Sequence, residues 1–77
     1  MQNKDVYFDR NKWKESWRSQ VVAQSKIAEF TGGAISYSTL ANARSAGVAP
    51  EGFVLNGRRV FDIDELLDWI ESRIRRN

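Results

Sequence analysis

Arg58 and Arg59 follow directly on Asn56-Gly57, and Asn42 and Arg44 lie close together within Phe30 to Pro50, a stretch that holds no Asp or Glu. Guanidinium groups bond phosphate oxygens, and Asn and Arg side chains also hydrogen-bond base edges. A segment that approaches a polyphosphate has to exclude carboxylates, because each repels the backbone and offsets the gain from released counterions. The plain alternative is an acid-free run arising by chance in a Ser/Ala-rich helix, with Asn42 solvated and Arg58 and Arg59 only charging a sheet edge against aggregation. The placement of these residues on the fold decides between the two.

Other chemistry has little to work with. The 77 residues include no Cys and no His, which removes disulfides, thiolate zinc sites, catalytic thiols and imidazole bases together. We expect a protein that is not an enzyme and uses no cofactor or metal. Asp62, Asp64, Glu65, Asp68 and Glu71 resemble a carboxylate cluster, but helix capping and a solvated face account for them without an ion. The net charge is only +2, yet it is unevenly spread: residues 1–61 hold nine basic and five acidic side chains, residues 62–77 three and five.

A chain this short buries only about 60% of its unfolded surface, so a single domain over 1–77 is expected, with a core over 21–76 and an N-terminal extension over 1–20. The longest apolar runs are three residues, Val6 to Phe8, Val21 to Ala23 and Phe53 to Leu55, far short of the ~20 a membrane helix needs. No secretory apolar region follows Met1. The expectation is a soluble cytoplasmic chain with no membrane partner.

The elements that must position the polar residues are marked by local signals. Asp9 can cap a helix from Arg10 to about Arg18, with Trp13 and Trp17 on one side as a lid over the small core. Val21 to Ala23 reads as a short extended piece leading to Ser25, an N-cap for a helix from Lys26 to Thr31 that buries Ile27, Ala28 and Phe30. Gly32 ends it. A second helix begins at Ser36, with Thr39 at its third position, and stops at Gly47; Leu40 and Ala43 line its inner stripe, with Ile35 and Ala46 at its ends. Tyr37, Ser38, Ala41, Asn42 and Ser45 fall on its outer side.

Phe53 to Leu55 and Arg58 to Phe61 are strand-like runs joined by Asn56-Gly57, which predicts a type I′ hairpin pairing Leu55 with Arg58, Val54 with Arg59 and Phe53 with Val60. Each face then carries both apolar residues and an arginine, so the core face is left open. Asp62 followed by Glu65 opens a last helix to about Arg75, with Ile63, Leu66, Leu67, Ile70 and Ile74 as its stripe and Trp69 at the edge. Arg73, Arg75 and Arg76 complement its negative end, with phosphate contact as the other reading.

This order predicts an α+β, mostly helical winged helix-turn-helix: two short helices, a β-hairpin wing and a C-terminal helix. In such a fold the second helix enters a DNA major groove and the hairpin lies over the flanking backbone. Asn42, Arg44, Arg58 and Arg59 therefore fall on the two elements that would touch DNA.

Residues 25–32 (Ser-Lys-Ile-Ala-Glu-Phe-Thr-Gly), Ser38-Thr39-Leu40, Gly57-Arg58-Arg59-Val60 and 65–70 (Glu-Leu-Leu-Asp-Trp-Ile) together resemble the excisionase and AlpA-like family, small MerR-like winged-helix proteins of phages and integrated elements. The resemblance covers about Val22 to Ile74. It implies sequence-specific, non-catalytic binding to double-stranded DNA: excisionases bend attachment-site DNA to assist an integrase, while AlpA-like members regulate transcription. By the family pattern the recognition positions fall on Tyr37, Ser38, Asn42 and Arg44 and the wing on Arg58 and Arg59. The expected DNA-binding set is Ser36, Tyr37, Ser38, Thr39, Asn42, Arg44, Asn56, Gly57, Arg58 and Arg59. The turn Gly32 to Ile35 is longer than in relatives and the helix has fewer arginines, so shape and cooperativity should contribute.

The resulting expectation is a nucleoid-associated excisionase, or recombination directionality factor, with an integrase as partner and cooperative self-association on DNA through the Trp13/Trp17 segment. An AlpA-like transcriptional regulator is the alternative on the same fold. A protein-interaction adaptor using Trp13, Trp17 and the acidic last helix is the reading from a different class.

Overall fold

The structure, a computed structural model, describes residues 8–75. Within them, four α-helices and a three-stranded antiparallel sheet form a small α+β arrangement that is about half helical. Val6 and Arg76, assigned above to an apolar run and to the end of the last helix, lie outside the described residues.

Helix α1, Arg10–Ser16, starts where the Asp9 carboxylate accepts from the Asn11 and Lys12 amides at 3.1 and 3.4 Å. It stops two residues earlier than the pattern predicts. Trp17 turns extended, and its indole N–H donates to the Val21 carbonyl at 3.0 Å, a tertiary bond that a further helical residue would break. Strand β1, Val21–Ala23, then pairs with β3 with Val22 opposite Phe61.

This pairing reshapes the segment after β1. The chain leaves the strand through a 3₁₀ turn, Gln24–Lys26, before the short helix α2, Ile27–Phe30. The turn carries Gln24 inward and leaves Ser25 exposed, so Ser25 is not the expected N-cap; Lys26 precedes α2 with no side-chain cap. Ile27 is fully buried, Phe30 half-buried and Ala28 exposed rather than inside. The helix closes as expected at Gly32, with Gly32 N–H on the Glu29 carbonyl at 3.3 Å and Gly33 N–H on the Ala28 carbonyl at 2.7 Å, the paired bonds of a Schellman stop.

Helix α3, Tyr37–Ser45, is capped by the Ser36 hydroxyl, which accepts from the Thr39 amide at 3.1 Å. It ends in the same kind of stop: Gly47 N–H bonds the Arg44 carbonyl and Val48 N–H the Ala43 carbonyl, each at 3.0 Å. Leu40 and Ala43 are its buried residues; Ala46, where the chain turns away, is exposed.

Strands β2, Phe53–Leu55, and β3, Arg58–Asp62, form the hairpin in the predicted register. Asn56 and Gly57 have φ of 54 and 79°, as a type I′ turn requires. The sheet order β1-β3-β2 makes β3 central. The open question of the hairpin's inner face is settled by Phe61, fully buried in the helical core with Val22, Ile27, Leu40, Leu66 and Leu67. Val60 points the other way and is covered between Ala23 and Phe53 on the flanking strands.

Helix α4, Ile63–Ser72, is capped by the Asp62 carboxylate, which accepts from the Asp64 and Glu65 amides at 3.0 and 3.1 Å. Burying its Ile63, Leu66, Leu67 and Ile70 contributes about 1.5–3 kcal/mol per side chain. Trp69 is buried with them rather than at the edge. The helix ends before Arg75 because the Ser72 hydroxyl donates to the Trp69 carbonyl, competing with the helical amide. Arg73 then folds over the Trp69 ring, 5.2 Å from its centroid.

Candidate nucleic-acid interface

Tyr37, the first residue of α3, stands beside the tip of the hairpin. Together with Gln24, Ser25, Asn56, Gly57, Arg58 and Arg59 it lines a cleft of about 460 Å³. No acidic residue contributes to this lining. The 3₁₀ turn Gln24–Lys26 packs against both α3 and β3 and so sets the start of α3 beside the hairpin. Gly57 is needed for its positive φ alone, since a Cβ there would meet nothing within 4 Å. The tip is therefore open to a ligand.

The candidate arginines divide into two kinds. Arg58 is exposed and forms no ion pair among the described residues. Arg59 is held: its Nη1 donates to the Glu51 carbonyl at 2.9 Å and lies 3.8 Å from the Glu51 carboxylate. Arg44 reaches the same carboxylate from α3 at 3.5 Å, with its Nε buried and without a hydrogen-bond partner. Glu51 is thus the link between α3 and the hairpin, a role the sequence did not reveal because all three residues lie on different elements. The carboxylate is 73% exposed, so each ion pair contributes no more than about 1 kcal/mol.

The other candidates spread around α3. Ser38 and Asn42 are exposed on its outer side, about 100° and 140° round the helix from Tyr37, and do not line the cleft. Ser36 is occupied with its cap and lies 2.9 Å from the Thr39 hydroxyl and 3.3 Å from that of Ser38. Thr39 faces elsewhere: it borders an apolar groove of about 400 Å³ with Phe8, Trp13, Ile35, Ile70 and Ile74. Gln24 and Ser25 join the cleft because the 3₁₀ turn replaces the expected helical start, so no local motif marks them.

The acids of α4 are instead paired with α1. Arg10 bonds Asp68 at 2.8 Å and lies 3.6 Å from the Asp64 carboxylate, while the Lys14 ammonium donates to Asp64 at 2.8 Å. The hydrogen bond from Lys14 chiefly holds the Asp64 carboxyl below the ordinary aspartate range, and the bond to Asp68 raises the Arg10 guanidinium. Thus α1 clasps α4. No group of acidic side chains among the described residues is arranged to hold a metal ion.

Trp13 and Trp17 pack edge-on against Phe30 with centroid separations of 5.3 and 5.2 Å. Both are half-buried on the core. The indoles form the expected lid over the core. No helix among the described residues is long and apolar enough to cross a membrane. Comparison with family models, curated proteins and solved structures gives no match to this chain.

Proposed function

We propose that this chain is a winged helix-turn-helix protein that binds double-stranded DNA, with α3 as the recognition helix and the β2–β3 hairpin as the wing. The observation that carries the reading is the acid-free cleft that joins Tyr37 to the hairpin tip, with Arg58 in its lining and in no ion pair among the described residues. An exposed guanidinium next to an open turn suits a phosphate, and the small polar face of Ser38 and Asn42 suits the floor of a groove.

A nine-residue helix and, on this face, one arginine outside any ion pair among the described residues offer few base contacts. Recognition by such a surface leans on DNA shape and on several copies acting together. This favours an excisionase, a recombination directionality factor that bends attachment-site DNA for an integrase. Bending a 20–30 base-pair site by 40–90° costs of order 1–6 kcal/mol, which several bound copies can supply jointly.

A circular-permutation gel with saturating protein tests this. The proposal expects mobility that depends on the position of the site and an excision reaction that requires the chain. Straight DNA at saturation with repression of a reporter promoter would assign the same surface to a transcriptional regulator. Absence of salt-dependent binding to any duplex would reject both and leave a protein-interaction role.

A further inference from the structure

Strand β2 is an outer edge of the sheet, bonded to β3 on one side only. Its residues Phe53, Val54 and Leu55 are 48, 60 and 54% exposed. Sheet edges are ordinarily blunted by a lysine, a proline, a bulge or a covering element. The strand has none of the first three, and no described element covers these side chains.

The hairpin register determines which backbone groups face outward. A two-residue type I′ turn makes Leu55 and Arg58 the closing hydrogen-bonded pair. The N–H and C=O of Leu55 and Phe53 therefore turn toward β3, and those of Val54 turn away from it. One residue offers both a donor and an acceptor on the open edge. Such an edge is complementary to itself about a two-fold axis through that residue.

We propose that β2 is a homotypic pairing edge, where two copies of this chain join antiparallel, Val54 against the partner's Val54, into one continuous sheet. In that register Phe53 lies opposite the partner's Leu55 and Leu55 opposite the partner's Phe53, two aromatic–aliphatic cross-strand pairs with no charge between them. A second copy thus sets each of the three exposed apolar residues beside another apolar residue. So short a contact belongs with interfaces below ~1,200 Å², so the pairing is weak and fills at high local concentration. The inference rests on the sheet alone and does not require DNA.

The chain has no cysteine, so a single introduced one reports the contact. A hydrogen-bonded antiparallel pair holds its Cα atoms about 5.5 Å apart, with the Cβ atoms too far apart for an unstrained disulfide but well within reach of a short bis-maleimide. Val54→Cys should crosslink with that reagent at least about tenfold faster than Val48→Cys, a site that is 62% exposed but off the sheet. In sedimentation equilibrium without DNA, the wild-type mass should rise with concentration. Val54→Lys and Val54→Pro, which block the edge while sparing the β2–β3 bonds, should stay monomeric with an unchanged circular dichroism spectrum. Equal crosslinking at Val54 and Val48, a wild type that stays monomeric at every soluble concentration, or folded Val54 variants that associate like wild type would overturn the proposal.

Discussion

Arg59 grips Glu51 twice, once at its backbone carbonyl and once near its carboxylate, at 2.9 and 3.8 Å. Because Arg44 approaches the same carboxylate at 3.5 Å, one acid partly neutralises two cations on the face proposed for DNA. Phosphate has to compete with it. Glu51→Gln keeps the carbonyl that Arg59 bonds and removes only the charge. It should raise affinity severalfold for specific and random duplex alike in a fluorescence anisotropy titration. A loss of affinity would mean that Glu51 serves mainly to hold the arginines in place.

Arg58 and Arg59 should differ when replaced by alanine. Arg58 has no ion-pair partner to lose among the described residues, so Arg58→Ala should leave stability unchanged and lower the slope of log K against log salt by roughly one unit. Arg59→Ala should alter the slope less and cost about 1 kcal/mol of stability in urea unfolding, through its bond to Glu51. Identical behaviour of the two variants would contradict the division.

Asn42 sits on the exposed side of α3, away from the Glu51 link. An asparagine amide pairs bidentately with adenine, and a good pair discriminates by ~1–3 kcal/mol. Asn42→Ala should therefore relax sequence preference while leaving affinity for random DNA nearly unchanged. Site selection that returns the same motif for both proteins would remove Asn42 from base readout.

The clasp of α1 on α4 should respond to acid. Lys14 and then Arg10 hold the Asp64 carboxyl below the ordinary aspartate range. A carboxyl depressed in the folded state favours docking at every pH above its ordinary range, and that contribution fades as pH falls through the depressed value. Acidification should therefore loosen α1 and shift Trp13 and Trp17 emission to the red, and Asp64→Asn, with no carboxyl to titrate there, should be shifted already at neutral pH and lose that acid step. Emission that is unchanged by either treatment would mean that the indole packing on Phe30 holds α1 alone.

What the sequence made legible was local. The caps at Asp9, Ser36 and Asp62, the stops at Gly32 and Gly47 and the Asn56-Gly57 turn each depend on neighbours a few residues away, and all stand where the pattern puts them. What stayed hidden was set across the chain. Pairing of Val22 with Phe61 made Val21–Ala23 a strand, moved Ser25 off its expected cap and settled the hairpin's inner face. Glu51 meets Arg44 and Arg59 only through the tertiary fold, so no local motif marks that link.

The central claim, that α3 and the hairpin tip form one DNA-binding face, is tested most directly by mapping backbone amide shifts while a duplex is titrated into isotopically labelled protein. The account predicts changes concentrated at Tyr37, Ser38, Asn42 and Asn56 to Arg59, with Gln24 and Ser25 responding alongside them and the Asp64, Asp68 and Glu71 side of α4 silent. Changes centred on α1 and α4, or none at low salt, would contradict it.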